Sequence, residues 1–221
     1  MIAPQLAAVL AKSLILVQLS SCPIAPPPKV TVNIHKERPR YDESLSISDL
    51  TQRFGNATAY NNFTFTDMKI GGLTDARLGS NFKIAPSIIR EGDYACLGVK
   101  EVVVDIYYAA IIYIPSEFPR GSCPYNVTVE HEHGHVTTAI DTIREFSAKY
   151  ESAIRETVEG MGPQGPHIDD RTVLDDQVGA IEEQIGVTVQ AIFTELMDTN
   201  QQRQYAIDDP KVLAETWKKC R

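Results

Sequence analysis

Two different spacings of apolar residues divide the chain. From Pro28 to about Pro119 the pattern is strand-like. Lys29-Val30-Thr31-Val32-Asn33-Ile34-His35 alternates with a period of two, as does Asn62-Phe63-Thr64-Phe65-Thr66. Between these runs, Ser48 to Phe54 followed by Gly55 predicts a short capped helix. Val102–Tyr108 and Ala110–Ile114 predict two further strands, the second stopped by Pro115. The period then changes. Ser122 can cap a helix that carries Pro124 in its first turn, where proline is tolerated. Ile140, Ile143, Phe146, Tyr150, Ile154 and Val158 recur at helical spacing, and Gly160 and Gly162-Pro163 end the run. A loop rich in Gly and Pro over 160–170 leads to a second helix. Its stripe is Leu174, Val178, Ile181, Ile185, Val189, Ile192 and Leu196. A short helical tail, Val212 to Lys219, carries the single Trp. The predicted class is α+β: a small antiparallel strand platform, then a long helix, then a second helix antiparallel to it.

The N-terminus changes the picture of where this domain acts. Residues 5–21 are apolar and small around Lys12, with no run near the roughly 20 residues that span a bilayer. Residues 1–22 therefore read as an export signal, 23–29 as a stiff proline-rich linker, and 30–221 as the folded domain. Leu19-Ser20-Ser21-Cys22 also fits a lipoprotein cleavage box, in which Cys22 would carry a lipid anchor. With Cys22 removed or lipidated, Cys96, Cys123 and Cys220 remain, which predicts one disulfide, Cys96–Cys123, and one free thiol. No transmembrane span is expected after processing. The net charge of −8, without a basic cluster, excludes nucleic acid as a partner. The Asn-x-Ser/Thr sequences at Asn56, Asn62 and Asn126 are taken as incidental.

Candidate chemistry sits where the strand pattern gives way to the helix. His131-Glu132-His133-Gly134-His135 holds three of the five histidines of the chain. Residues four apart on a helix lie on nearly one face, so His131 and His135 can both reach one Zn2+ at about 2.0–2.1 Å. Glu132 then projects beside the metal as a general base for zinc-assisted hydrolysis. His133 and Gly134 are spacers. A rival reading places the three histidines on one face of a strand. It needs an acidic residue soon afterwards, which Val136-Thr137-Thr138-Ala139-Ile140 does not supply, or an Asp before the last His, where Gly134 stands.

The order of features resembles a bacterial family of predicted secreted zinc-dependent proteases, a domain of unknown function with a zincin-like fold. The matching pieces are Tyr94-Ala95-Cys96, Val102-Val103-Val104, Pro115, the 131–135 motif and Tyr205. The resemblance implies an exported zinc metallopeptidase acting on a peptide or protein substrate. It also implies a Thr-x-His-Gly segment near the end, where this chain has Ala206-Ile207-Asp208-Asp209-Pro210.

That departure leaves the third zinc ligand open. Asp141 follows His135 by six residues but points away from the histidines on a continuing helix. Glu145 lies about 15 Å further along at about 1.5 Å per residue. Glu182, Glu183 and Glu195 fall on the returning helix, whose later part should approach the motif, which favours Glu195. Asp208, Asp209 and His167 complete the set. The leading expectation is an exported zinc metallopeptidase. One alternative is a catalytically degenerate binding or envelope-structure module of the same fold; another is a zinc amidase acting on cell-wall peptides.

Overall fold

A computed structural model of the protein describes residues 22–23, 26–54 and 71–220. The elements are β1 Lys29–Lys36, β2 Arg40–Asp42, α1 Ile47–Phe54, β3 Leu73–Glu91, β4 Tyr94–Tyr113, α2 Cys123–Met161, β5 Gln164–Ile168, α3 Arg171–Ile207 and α4 Pro210–Lys218. Residues 1–21 of the export signal expected over 1–22, the strand expected at Asn62–Thr66 and the sequons at Asn56 and Asn62 lie outside the described residues.

The sheet corrects the expected antiparallel platform. Its path β1-β4-β2 is parallel. Arg40, Tyr41 and Asp42 of β2 face Ile111, Ile112 and Tyr113 of β4 in ascending order. Lys29 reaches Glu101 and Asn33 reaches Asp105, so β1 ascends with β4 as well. The reason is topological. Alternation along a strand tells which residues face the core, but direction depends on the connection. Here α1 and β3 intervene before β4 begins, and a long excursion permits parallel entry. β5 pairs with β4 in the opposite sense, and β3 joins β4 through Gly92-Asp93, where Gly92 takes a φ of 58°.

β4 is one strand where two were expected. Val102, Val104, Ile106, Tyr108, Ala110 and Ile112 are buried in unbroken alternation, and no turn residue interrupts them. The two long helices follow the sequence more closely. Ser122 Oγ accepts from the Tyr125 N–H at 3.3 Å and opens α2. Asp170 accepts from the N–H groups of Thr172 and Val173 and opens α3. Apart from half-buried Val178, every residue of the two predicted stripes is buried. α1 begins earlier than predicted, because Ser46 and Asp49 form a reciprocal capping box in which each side chain accepts from the other's N–H at 3.0 Å.

The described residues fall into two compact units. The first comprises those up to Val32, with Phe82–Val104 and Ala148–Ile192. Its core includes Leu97, Val102, Tyr150, Ile154, Ile181 and Ile185. The second comprises those of Asn33–Asn81, Asp105–Ser147 and Phe193–Arg221. Leu50, Ile106, Ile112, Ile114, Ile143 and Leu196 are fully buried in it.

Two disulfides replace the single one expected. Cys22 bonds Cys96, and Cys123 bonds Cys220. No described cysteine is free. The predicted Cys96–Cys123 pair fails because proximity in sequence between two elements says nothing of which strand or helix end lies opposite. Cys22 is bonded through Sγ to Cys96 of β4 in this structure. Bonds of this kind persist in oxidising compartments. Among the described residues, no helix is long and apolar enough to cross a membrane.

Candidate metal centre

The second unit brings together three groups that the sequence spreads over 78 positions. His131 and His135 lie one turn apart on α2, and Asp208 follows the end of α3. Proline at 210 fixes that position. It cannot continue α3, and it forces Asp209 into an extended conformation, with φ −53° and ψ 128°. Asp208 is thus the last residue before the chain turns into α4.

The geometry is that of a ligand triangle. Asp208 Oδ1 lies 3.0 Å from His131 Nε2 and 3.0 Å from His135 Nε2. The two Nε2 atoms are 3.2 Å apart, with their rings nearly perpendicular. Tetrahedral ligands at about 2.0–2.2 Å from zinc are separated by about 3.3–3.5 Å along each edge. The observed edges are a few tenths shorter, so one ion of that size fits the three atoms with little movement. Two imidazoles and one carboxylate oxygen suit zinc and similar transition ions, whereas calcium and magnesium prefer oxygen alone.

His135 is held from behind. Its Nδ1 lies 2.5 Å from Gln204 Oε1, and the Gln204 amide nitrogen donates to the His135 carbonyl at 3.1 Å. Burial opposes protonation of this ring, but the hydrogen bond and charge of Asp208 outweigh it, aided by Glu132 and Gln204. The net effect raises the His135 pKa above its ordinary value in the metal-free protein.

Glu132 is 3% exposed, an unusual position for a carboxyl group. Thr74 of β3 donates its hydroxyl to Oε2 at 2.8 Å. The same hydroxyl lies 3.2 Å from the Glu132 carbonyl. Burial pushes the Glu132 pKa up, against the lowering influence of the two histidines and Thr74. Gly72 is required beside it. A Cβ at that position would meet Thr128 Cγ2 at 2.4 Å and Glu132 Oε1 at 2.7 Å.

The remaining sequence candidates lie elsewhere. Glu195, favoured from the direction of the returning helix, is an exposed residue of α3, as are Glu182 and Glu183, and none joins the triangle. Asp209 is spent on capping α4, accepting from the Lys211 N–H at 2.8 Å. Asp141 pairs with Arg144, and Glu145 pairs with Arg203. His167 is on β5 in the first unit. His133 faces away from the triangle and hydrogen-bonds Tyr41 of β2.

Sequence reasoning did not reach Gln204, Thr74 or Gly72. Spacing carries no signal for Thr74 or Gly72, because β3 meets α2 only through the fold. Gln204 had one faint signal, its position four residues before Asp208 on the same helical face. Compared with known proteins, the chain matches no protein-family model, no curated protein and no solved structure.

Proposed function

We propose that the protein is an exported zinc-dependent hydrolase of peptide bonds, with His131, His135 and Asp208 as zinc ligands and Glu132 as general base. The observation that carries this reading is the convergence of two imidazole nitrogens and one carboxylate oxygen to 3.0–3.2 Å of one another, on a His-Glu-x-x-His helix. Zinc, when bound, acidifies water and polarises a scissile carbonyl. The chain's own residues do the rest. Thr74 orients the Glu132 carboxylate through Oε2, and that carboxylate takes a proton from the attacking water. Returning that proton to the leaving amine completes the cleavage of a peptide or protein substrate. The two disulfides support a site of action outside the cytoplasm.

One observation favours a second reading, a metal-binding module that no longer hydrolyses: Glu132 is nearly fully covered, with Gly72 against it. The deciding experiment pairs metal analysis with peptidase assays of wild type and Glu132→Gln. Hydrolysis by the wild type that falls by about 10²–10⁴-fold in the variant, with zinc retained, supports the hydrolase. Zinc bound by both without hydrolysis supports the module. A wild type that binds no zinc sinks both.

A further inference from the structure

We propose that Gln204 is a positioning residue of this centre: it holds His135 in the tautomer that turns a lone pair towards the metal, and it pins the helix bearing Asp208 to the helix bearing the histidines. The inference rests on the zinc reading above.

The argument begins with the hydrogen-bonding capacity of a carboxamide, one acceptor oxygen and one nitrogen with two protons. Both protons of Gln204 are committed. The amide nitrogen lies 3.1 Å from the His135 carbonyl oxygen and 3.0 Å from Asn200 Oδ1. Turning the amide over would bring its oxygen against the carbonyl oxygen of His135, which cannot donate. The orientation is therefore set by its surroundings, and Oε1 must face His135 Nδ1, as it does at 2.5 Å. An oxygen without a proton can only accept, so His135 carries a proton on Nδ1. In the metal-free protein the Asp208 carboxylate, which likewise can only accept, lies 3.0 Å from Nε2; a metal that takes the place of the proton there meets the Nε2 lone pair.

The second half of the inference is mechanical. Gln204 and Asp208 are four residues apart, Gln204 within α3 and Asp208 just beyond its end, where its N–H still reaches the Gln204 carbonyl at 3.3 Å. The same amide bonds both backbone and ring of His135, so it ties the last turn of α3 to α2 at the level of the ligands. Sliding α3 by one residue would move it about 1.5 Å and break both bonds. Gln204 thus fixes the height at which Asp208 meets the two histidines. It touches neither substrate nor reacting atoms.

The test compares wild type, Gln204→Leu and Gln204→Glu by zinc affinity in chelator competition, and reads the nitrogen spectrum of His135 in zinc-loaded wild type. Leucine removes both bonds at similar size and should weaken zinc binding by about 10–100-fold, the range for loss of an outer partner. Glutamate keeps an oxygen for the Nδ1 proton but loses the bond to the His135 carbonyl, so its zinc affinity should fall between those of the leucine variant and wild type. With zinc bound, the wild-type ring should carry its proton on Nδ1, opposite Gln204 Oε1. Equal zinc affinity in the leucine variant and wild type, or an Nε2–H ring in wild type, would overturn the proposal. If leucine prevents folding, the wild-type spectrum still decides it. Absence of zinc binding in wild type would defeat the zinc reading and this proposal together, whereas zinc bound equally by wild type and the leucine variant would defeat this proposal alone.

Discussion

The two units of this protein draw on the same long elements and put their polar side chains to opposite uses. In the first, the ion pairs Lys29–Glu101 and Arg90–Asp169 are solvent-exposed, and its fully buried positions are apolar. In the second, the described chain buries Thr128, Glu132 and Thr142 and turns two histidines and Asp208 inward. Surface ion pairs contribute little to stability, about 0–1 kcal/mol each. A buried carboxyl is costly unless partnered, and among the described residues Thr74 is the side chain that hydrogen-bonds Glu132. The contrast teaches that α2 and α3 serve as apolar core in one unit and carry the candidate metal centre in the other, with no change in helical regularity.

The largest effect that would break this comparison is loss of the proposed ligand that only tertiary structure supplies. Asp208→Ala should reduce zinc affinity by more than the roughly 100-fold that an outer partner can cost, whereas Glu195→Ala should leave it unchanged. Equilibrium dialysis of both variants against zinc checks this, and a loss in Glu195→Ala would misplace the site.

Next in size are the disulfides, one in each unit. They close loops of 74 and 97 residues, for which chain entropy gives about 4–5 kcal/mol each, with measured losses of about 2–5 kcal/mol. Removal of Cys22–Cys96 by paired serine substitutions should lower unfolding stability without altering zinc affinity. Removal of Cys123–Cys220 should lower both. Denaturant titration followed by zinc titration of the folded protein separates the two, and equal zinc affinity in both variants would contradict the division of labour.

A comparable loss should follow Ile185→Ala, about 2–5 kcal/mol from a fully buried side chain in the first unit, with zinc stoichiometry kept in the folded protein. Gly72→Ala is expected to cost about 1–3 kcal/mol through overpacking against Thr128 and Glu132. Its peptidase activity should fall further than its stability, because the displaced group is the proposed base. A variant with unchanged activity would show that the Gly72 contact has no bearing on Glu132. The smallest effect is on the stability of Glu195→Ala itself, within about 0.5 kcal/mol for an exposed helical position.

How much of the site was legible follows from the range of each interaction. The pair His131 and His135 is local, since a helix alone brings i and i+4 to one face. The capping signals at Ser122 and the Gly/Pro break after Met161 delimit that helix with no help from the rest of the chain. Asp208 is a matter of helix register. Thr142 meets Arg203, and Thr157 meets Thr188. Continuing that pairing towards His135 leads to the neighbourhood of 204–210, not to Glu195. Placing the return at Glu195 amounts to a hairpin shorter than the one the β5 segment builds.

By itself, then, the sequence determined the two amphipathic helices, the strand-to-helix order and the two histidines with Glu132 between them. All of these depend on residues within a few turns of one another. Tertiary structure decided the parallel direction of β1 and β2, the pairing of the cysteines, and the arrival of Asp208, Gln204, Thr74 and Gly72 around the motif. These depend on how connections close, and a connection leaves no periodic trace in the residues it brings together.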